Sequence, residues 1–257
     1  MELYLVCLLI ITYFCRLSLF ISNMPNSYFQ FKQFTVSHDK CGMKVGTDGV
    51  LLGAWADVSR AKKILDIGTG TGLLALMTAQ RSVAHIVALE IDEHAAKQAE
   101  ENISSSPWAD RIEVVKTDFK EFVSDEKFDV VISNPPYFVD SLASPDDQRT
   151  MARHSGDLTY TELLKGVSKV LSIDGTFSVI IPIETADSFK YIAELCGLFP
   201  CRQLWVITKP GGAPKRALIT FSFAQQACEN NYLLTEVARH QYSKEYIALT
   251  KDYYLKM

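Results

Sequence analysis

The stretch Phe128-Asp129-Val130-Val131-Ile132-Ser133-Asn134-Pro135-Pro136-Tyr137 limits the possible folds more than any other part of the chain. Its first half is short, apolar and β-branched, the pattern of a strand buried on both faces in the middle of a parallel sheet. Its second half stops that strand. Asn134 precedes a proline and is held out of the helical region, and Pro135 and Pro136 have no N–H with which to continue a helix or a ladder. What remains is a rigid stub carrying an amide side chain, free carbonyls and an aromatic ring. It stands at the carboxyl end of a central strand, where ligands of open α/β sheets bind. Such a stub can accept hydrogen bonds from a planar –NH2 group while Tyr137 stacks on the plane that carries it. Taken alone, the same letters also describe a strand ended by a turn.

Upstream, three more strand ends carry polar groups in order. Ile64-Leu65-Asp66-Ile67-Gly68-Thr69-Gly70-Thr71-Gly72 is a strand and a glycine-rich turn leading into an amphipathic helix, Leu73–Gln80. Glycines there let backbone approach a ligand where the helix begins. The spacing is not the dinucleotide GxGxxG, and Asp66 suits an ammonium or a bound water better than a pyrophosphate. Strand His85–Glu90 ends in an acid able to accept both hydroxyls of a ribose. Helix Glu93–Asn102 follows, then strand Ile112–Lys116 leads to Asp118 and Phe119, a pair able to hold the amine and the face of an adenine. Before all of these, Phe29–Val36 reads as a strand and Val50–Trp55 as a helix with Thr47 or Asp48 as N-cap. The Gly46–Gly49 turn either closes over a ligand or simply caps that helix.

Several chemistries are disfavoured. The six cysteines form no CxxC pair and the five histidines have no ligand spacing, which suggests neither a metal site nor a disulfide framework and fits a reducing, cytoplasmic home. A formal net charge of −4 argues against a surface that binds nucleic acid all over, yet the charge is uneven. From Ala84 to Asp129 there are 12 acidic against 5 Lys/Arg residues, and from Lys209 to Met257 there are 7 Lys/Arg against 4 acidic. That imbalance suits an anionic partner gripped on one side. Residues 1–23 are hydrophobic but lack a basic n-region and a cleavage signal, and Arg16 interrupts them. They are expected to be a mis-called start before a single domain over 24–257, with translation beginning at Met24.

In this order, Asp66-x-Gly68-x-Gly70-x-Gly72, Glu90, Asp118 and Asn134-Pro135-Pro136-Tyr137 resemble the class I S-adenosylmethionine-dependent methyltransferases over Lys63 to Pro182. Within them the Asn-Pro-Pro-Tyr version is that of enzymes methylating a planar amine or amide nitrogen. The flanks sharpen the resemblance: Phe34-Thr35-Val36, Asp39-Lys40-Cys41, Met43-Lys44-Val45-Gly46-Thr47-Asp48, Ala152-Arg153-His154, Pro214-Lys215-Arg216 and Leu249 to Leu255. These are similar to a bacterial subfamily that methylates N6 of adenine 37, beside the anticodon, in a valine tRNA, tRNA1(Val). The resemblance implies a doubly wound α/β fold, a mostly parallel seven-stranded sheet with the last strand antiparallel. It further implies S-adenosyl-L-methionine as cofactor, held by Thr47, Asp66, Gly68, Gly70, Gly72, Glu90, Asp118 and Phe119, with Asn134, Pro135, Pro136 and Tyr137 as the catalytic stub. A monomer acting on tRNA, with neither metal nor membrane partner, is expected.

Downstream of the stub, 138–155 is polar and holds Arg153 and His154, placed to contact substrate RNA. Helix Tyr160–Leu171, strand Thr176–Pro182, helix Ala186–Cys196 and strand Arg202–Lys209 continue the α/β alternation. Lys215 and Arg216 end a Gly/Pro loop before a last strand, Ala217–Phe223, and are candidate phosphate contacts. Ser243–Leu255 reads as a tail helix. The sulfonium donor is already activated, so the residues need only align the adenine amine, with Asn134 Oδ1 and the Pro135 carbonyl accepting its N–H bonds. A base swung out of the RNA costs a few kcal/mol of unstacking, of which stacking on Tyr137 would return ~1–3 kcal/mol. A protein glutamine methyltransferase shares the stub but carries an extra N-terminal helical domain, for which Met24–Lys62 has no room. A DNA adenine methyltransferase would need a long recognition region. A ribosomal RNA guanine methyltransferase usually has Phe at position 137. A cofactor-binding RNA scaffold without turnover would not be expected to keep Asn134.

Overall fold

The computed structural model describes residues 26–42, 44–136 and 158–256. The leader 1–23 and the expected roles of Tyr137, Arg153 and His154 lie outside the described residues.

The chain opens with an antiparallel hairpin, β1 (Tyr28–Gln30) and β2 (Thr35–Ser37), where the sequence predicts one strand. The reversal has no Gly or Pro to announce it. The Phe31 amide donates to the Phe34 carbonyl at 2.8 Å, and the rings of Phe31 and Phe34 stack with centroids 4.6 Å apart. Helix α1 (Thr47–Trp55) follows. Its N-cap is Gly46, without a side-chain cap bond, so Thr47 and Asp48 lie inside the first turn rather than capping it.

The alternating part runs β3 (Lys63–Ile67), α2 (Leu73–Arg81), β4 (His85–Glu90), α3 (Glu93–Ser104), β5 (Ile112–Lys116), β6 (Phe128–Ser133), α4 (Tyr160–Val170), β7 (Leu171–Pro182), α5 (Ala186–Leu195), β8 (Phe199–Ile207), β9 (Arg216–Ser222) and β10 (Glu229–Leu234). These strands form one sheet in the order β10-β8-β9-β7-β6-β3-β4-β5. Strand β9 is antiparallel to β7 and β8, and the other pairs are parallel. The expected seven strands are present with the seventh antiparallel. An eighth, β10, extends the edge beside β8. Its first four residues are exposed, so it carries no apolar alternation from which it could be predicted.

Successive strand residues pack against opposite layers, as the period of two requires. Ile64, Ile86, Ala88, Val130 and Ile132 join α1, α2 and α3 on one face. Leu65, Leu89, Val131, Phe177, Val179 and Ile219 join α4 and α5 on the other. Each Val, Leu, Ile or Phe side chain among these, fully buried, stabilises the fold by ~1.5–3 kcal/mol. Both faces are covered, which is why β6 reads as a continuous apolar run.

Beyond β10 come a small hairpin, β11 (Glu236–Ala238) and β12 (Gln241–Tyr242), and helix α6 (Lys244–Thr250). The tail helix ends five residues before the predicted Leu255. Thr250 turns its hydroxyl back to the Tyr246 carbonyl at 2.7 Å, and the chain leaves the helix to insert Tyr253. The Tyr253 hydroxyl donates to the Met77 carbonyl at 3.2 Å, its carbonyl accepts from the Lys32 amide at 2.8 Å, and Tyr254 bridges to Phe31. The tail therefore locks onto the opening hairpin.

Candidate active site

The winding direction reverses at β3, which has β4 on one side and β6 on the other. A crevice forms at the carboxyl ends of strands where the order reverses. In lateral order those ends present Asp118 after β5, Glu90 on β4, the Gly68–Gly72 turn after β3, and Asn134 after β6. At about 4.8 Å per strand this row spans ~14 Å. The Ser133 hydroxyl donates to the Ile67 carbonyl at 2.8 Å and fixes the β6 end against β3.

The turn after β3 takes a conformation that side chains rarely adopt. Gly68, Gly70 and Gly72 have φ of 72°, 57° and 82°, in the left-handed region that favours glycine. Beneath it Asp66 is fully buried. The Thr69 hydroxyl donates to its Oδ2 at 2.5 Å, while Oδ1 is buried with no hydrogen-bond partner among the described residues. Burial pushes the Asp66 carboxyl up to about 7, against the opposing pull of the Thr69 hydroxyl and the Ala75 amide. A buried acceptor left unmatched calls for a donor from outside.

Glu90 is engaged by the backbone. Its Oε2 accepts from the Gly70 amide at 2.8 Å, and its Oε1 accepts from the amides of Ile91 at 2.9 Å and Asp92 at 3.0 Å. A carboxylate offers about four acceptor positions, and three of them are engaged by these amides. Glu90 thus braces the glycine turn from the next strand. Asp118 accepts from the Lys120 amide at 2.9 Å, and its Oδ2 lies 3.4 Å from Lys120 Nζ. The ring of Phe119 is buried in the core beside Gly166 of α4. It packs against α4 in the protein interior.

Asn134 is half-buried, Pro135 buried and Pro136 exposed. Helix α1 comes up against this stub at Gly49, where a Cβ would lie 2.9 Å from Leu73 Cδ2 and 3.9 Å from Asn134 Nδ2. The absence of a side chain there keeps room beside the amide. One turn-edge away, Thr47 and Asp48 line a cavity of about 1060 Å³ together with Lys215 and Arg216. Arg216, a candidate phosphate contact from the sequence, is engaged within the protein. Its Nε donates to Asp48 Oδ2 at 2.7 Å. Lys215 is exposed. The site residues therefore fall into two groups, the row of strand ends and the cavity flank, joined by the first turn of α1. The sequence reading missed Tyr28 and Tyr242, which also line the cavity. Neither stands in a stretch with any motif. Among the described residues no cluster of His, Cys, Asp and Glu could hold a metal, and no helix is long and apolar enough to cross a membrane.

Residues 42–181 match the family described as the methyltransferase small domain. A Bacteroides thetaiotaomicron protein named tRNA1(Val) (adenine(37)-N6)-methyltransferase is 65% identical over 236 residues, covering 91% of this chain and 100% of that protein. Proteins of the same name from Bacteroides fragilis and Flavobacterium psychrophilum are 62% and 46% identical, covering 91% and 89% of this chain and all of theirs. A solved structure of a predicted O-methyltransferase from Agrobacterium tumefaciens superposes with a TM-score of 0.62 at 20% identity, covering 80% of this chain and 96% of that one. At that identity it shares the fold alone. The chain belongs to the methyltransferase small domain family and, within it, to the family of the proteins named tRNA1(Val) (adenine(37)-N6)-methyltransferase.

Proposed function

We propose that this protein transfers a methyl group from S-adenosylmethionine to N6 of adenine 37 in tRNA1(Val), acting as a monomer in the cytoplasm. The observation that carries this reading is the 65% identity over the full length of a relative with that name. The row of strand ends supports it. Family membership implies the donor, and the residues present fit it. The unmatched Oδ1 of Asp66 suits an ammonium or the water bound to one, the glycine turn gives close backbone approach, and Glu90 and Asp118 lie where a nucleoside would extend along the row. When bound, the donor supplies an activated methyl on a sulfonium.

The chain's own part is alignment. Asn134 stands at the end of the row, fixed by the β6–β3 link and walled by α1. Its Oδ1 and the Pro135 carbonyl would accept the two N–H bonds of an adenine amine. That draws the nitrogen lone pair out of conjugation with the ring and toward the methyl. The half-burial of Asn134 limits competition from water for the same acceptors. Proton loss follows methylation, so no strong base is needed at the amine.

The deciding experiment is to incubate the protein with labelled donor and total RNA from cells lacking it, then map the labelled nucleoside. N6-methyladenosine at position 37 of tRNA1(Val) is the expected product. Label in ribosomal RNA guanine, or in protein glutamine when extract is supplied, would overturn the reading.

A further inference from the structure

The cavity of about 1060 Å³ does not lie over the row of strand ends. It runs from Thr47 and Asp48 at the start of α1, past the loop 208–215, to the tail and β1. Its lining combines two features. Lys209, Lys215, Arg216 and Lys256 face Asp48 and Glu236, four cations against two carboxylates, on a protein whose net charge is −4. Two aromatic rings also stand open to solvent there, Tyr28 at 45% and Tyr242 at 42% exposure. Tyr242 is not a loose side chain. Its ring stacks on Tyr246 with centroids 5.0 Å apart and planes 29° from parallel, and Tyr246 is buried.

We infer that this groove binds unpaired nucleotides of the substrate RNA that flank the target base, with Tyr28 and Tyr242 as stacking faces and Lys209, Lys215 and Lys256 as phosphate contacts. The inference rests on the RNA reading given above and adds where the strand beside the target base runs. Three arguments favour single-stranded RNA. A local cationic excess suits a polyanion. Exposed, propped aromatic rings offer π-faces that only unstacked bases can meet, because a duplex keeps its base faces inside. The groove also adjoins the reacting end: its wall residue Asp48 is followed by Gly49, whose Cβ position is 3.9 Å from Asn134 Nδ2. A base swung out to Asn134 would have its neighbours on the side of α1's first turn, which borders this groove. Arg216, held by Asp48, shapes the wall.

The test is direct RNA binding without methyl donor, by fluorescence anisotropy, using a synthetic stem-loop whose loop holds the adenine and a fully paired duplex of equal length. Tyr242→Ala is expected to weaken stem-loop binding about 10-fold, within the range for loss of one stacked base, with Tyr242→Phe restoring it. Tyr28→Ala, on a separate element, should act in the same direction. Neither tyrosine variant should change duplex binding. Lys209→Ala/Lys256→Ala should lower the salt slope of stem-loop binding by about 1.4, at ~0.7 per phosphate for a single strand. Wild-type stem-loop affinity in folded Tyr242→Ala and Tyr28→Ala proteins would overturn the inference and leave the face to a protein partner. If the wild-type protein methylates no tRNA adenine while the tyrosine variants still lose stem-loop binding, the groove stands and the target reading falls.

Discussion

Arg216 and Asp48 lie 168 residues apart in the chain and meet with Nε 2.7 Å from Oδ2. The pair ties the start of β9 to the first turn of α1, where the helix dipole also favours a negative charge. Both side chains are mostly covered, at 31% and 22% exposure. A double-mutant cycle with Asp48→Asn and Arg216→Gln should give a coupling of about 0.5–1 kcal/mol in denaturant unfolding. Additive single effects would mean the pair is incidental.

The same pairing separates two neighbouring cations. Lys215→Ala should lower the salt slope of RNA binding by ~0.7, the value for one phosphate on a single strand. Arg216→Ala should lower it less, because Asp48 already offsets that charge. Affinity measured across a salt series for both variants decides. Equal decrements would show that RNA displaces Arg216 from Asp48.

Asn134→Ala should leave donor affinity nearly intact and reduce kcat by ~100-fold or more, since its role is confined to the aligned amine. Calorimetry with donor and steady-state kinetics with tRNA read the two quantities separately. Wild-type kcat in this variant would refute the alignment mechanism.

Glu90 should show two losses rather than one. Three backbone amides end on its carboxylate, so Glu90→Ala removes their acceptor as well as any contact to a ribose. A lower Tm is expected together with weaker donor binding, each unsatisfied amide costing about 1–3 kcal/mol. Glu90→Gln keeps one acceptor oxygen and should recover part of the Tm. A Glu90→Ala protein of unchanged Tm would show that the glycine turn holds itself.

Asp66 makes a prediction about pH. Its carboxyl rises from 3.8 to about 7 on burial, so between those values the folded state holds a proton that the unfolded state has lost. Stability contributed by this group therefore falls as pH rises from about 4 to about 7, and changes no further above that. The stability difference between wild type and Asp66→Asn should shift across this window, which urea titrations at several pH values would record. A constant difference would mean the buried carboxyl is ionised throughout.

The strand-turn-helix units from Lys63 to Ser133 were legible because local chemistry and tertiary role agree there. Glycines sit where φ is positive, prolines stop β6, and the apolar runs match a sheet covered on both faces. Elsewhere the deciding interaction was remote. Phe31 and Phe34 reverse the chain by stacking on each other and against Tyr254, with no turn residue to signal it. Strand β10 is held by its ladder to β8 while showing polar side chains to solvent. The motif letters located Glu90 and Arg216 but could not reveal that backbone amides and Asp48 also engage them. Nor could they show that the Phe119 ring packs on α4, because an aromatic after a strand looks the same whether it turns outward or inward.

The clasp between the tail and the opening hairpin sets an order of events during synthesis. Lys32 donates from its amide to Tyr253 and from its ammonium to the Lys251 carbonyl, 219 residues further on. The hairpin and α1, which walls the stub at Gly49, leave the ribosome early, yet the ring that ties the hairpin to α2 through Met77 emerges more than two hundred residues after the hairpin. The sheet's centre and the α1 wall beside Asn134, which Arg81 of α2 holds through the Gly53 and Ala56 carbonyls, can assemble in the meantime, but the hairpin is clasped to the tail only when Tyr253 arrives. A nascent chain stalled before that residue would carry the whole strand-end row and its α1 wall with the hairpin still unclasped, so the groove that β1 and the tail line together would be complete only on a chain grown past Tyr253.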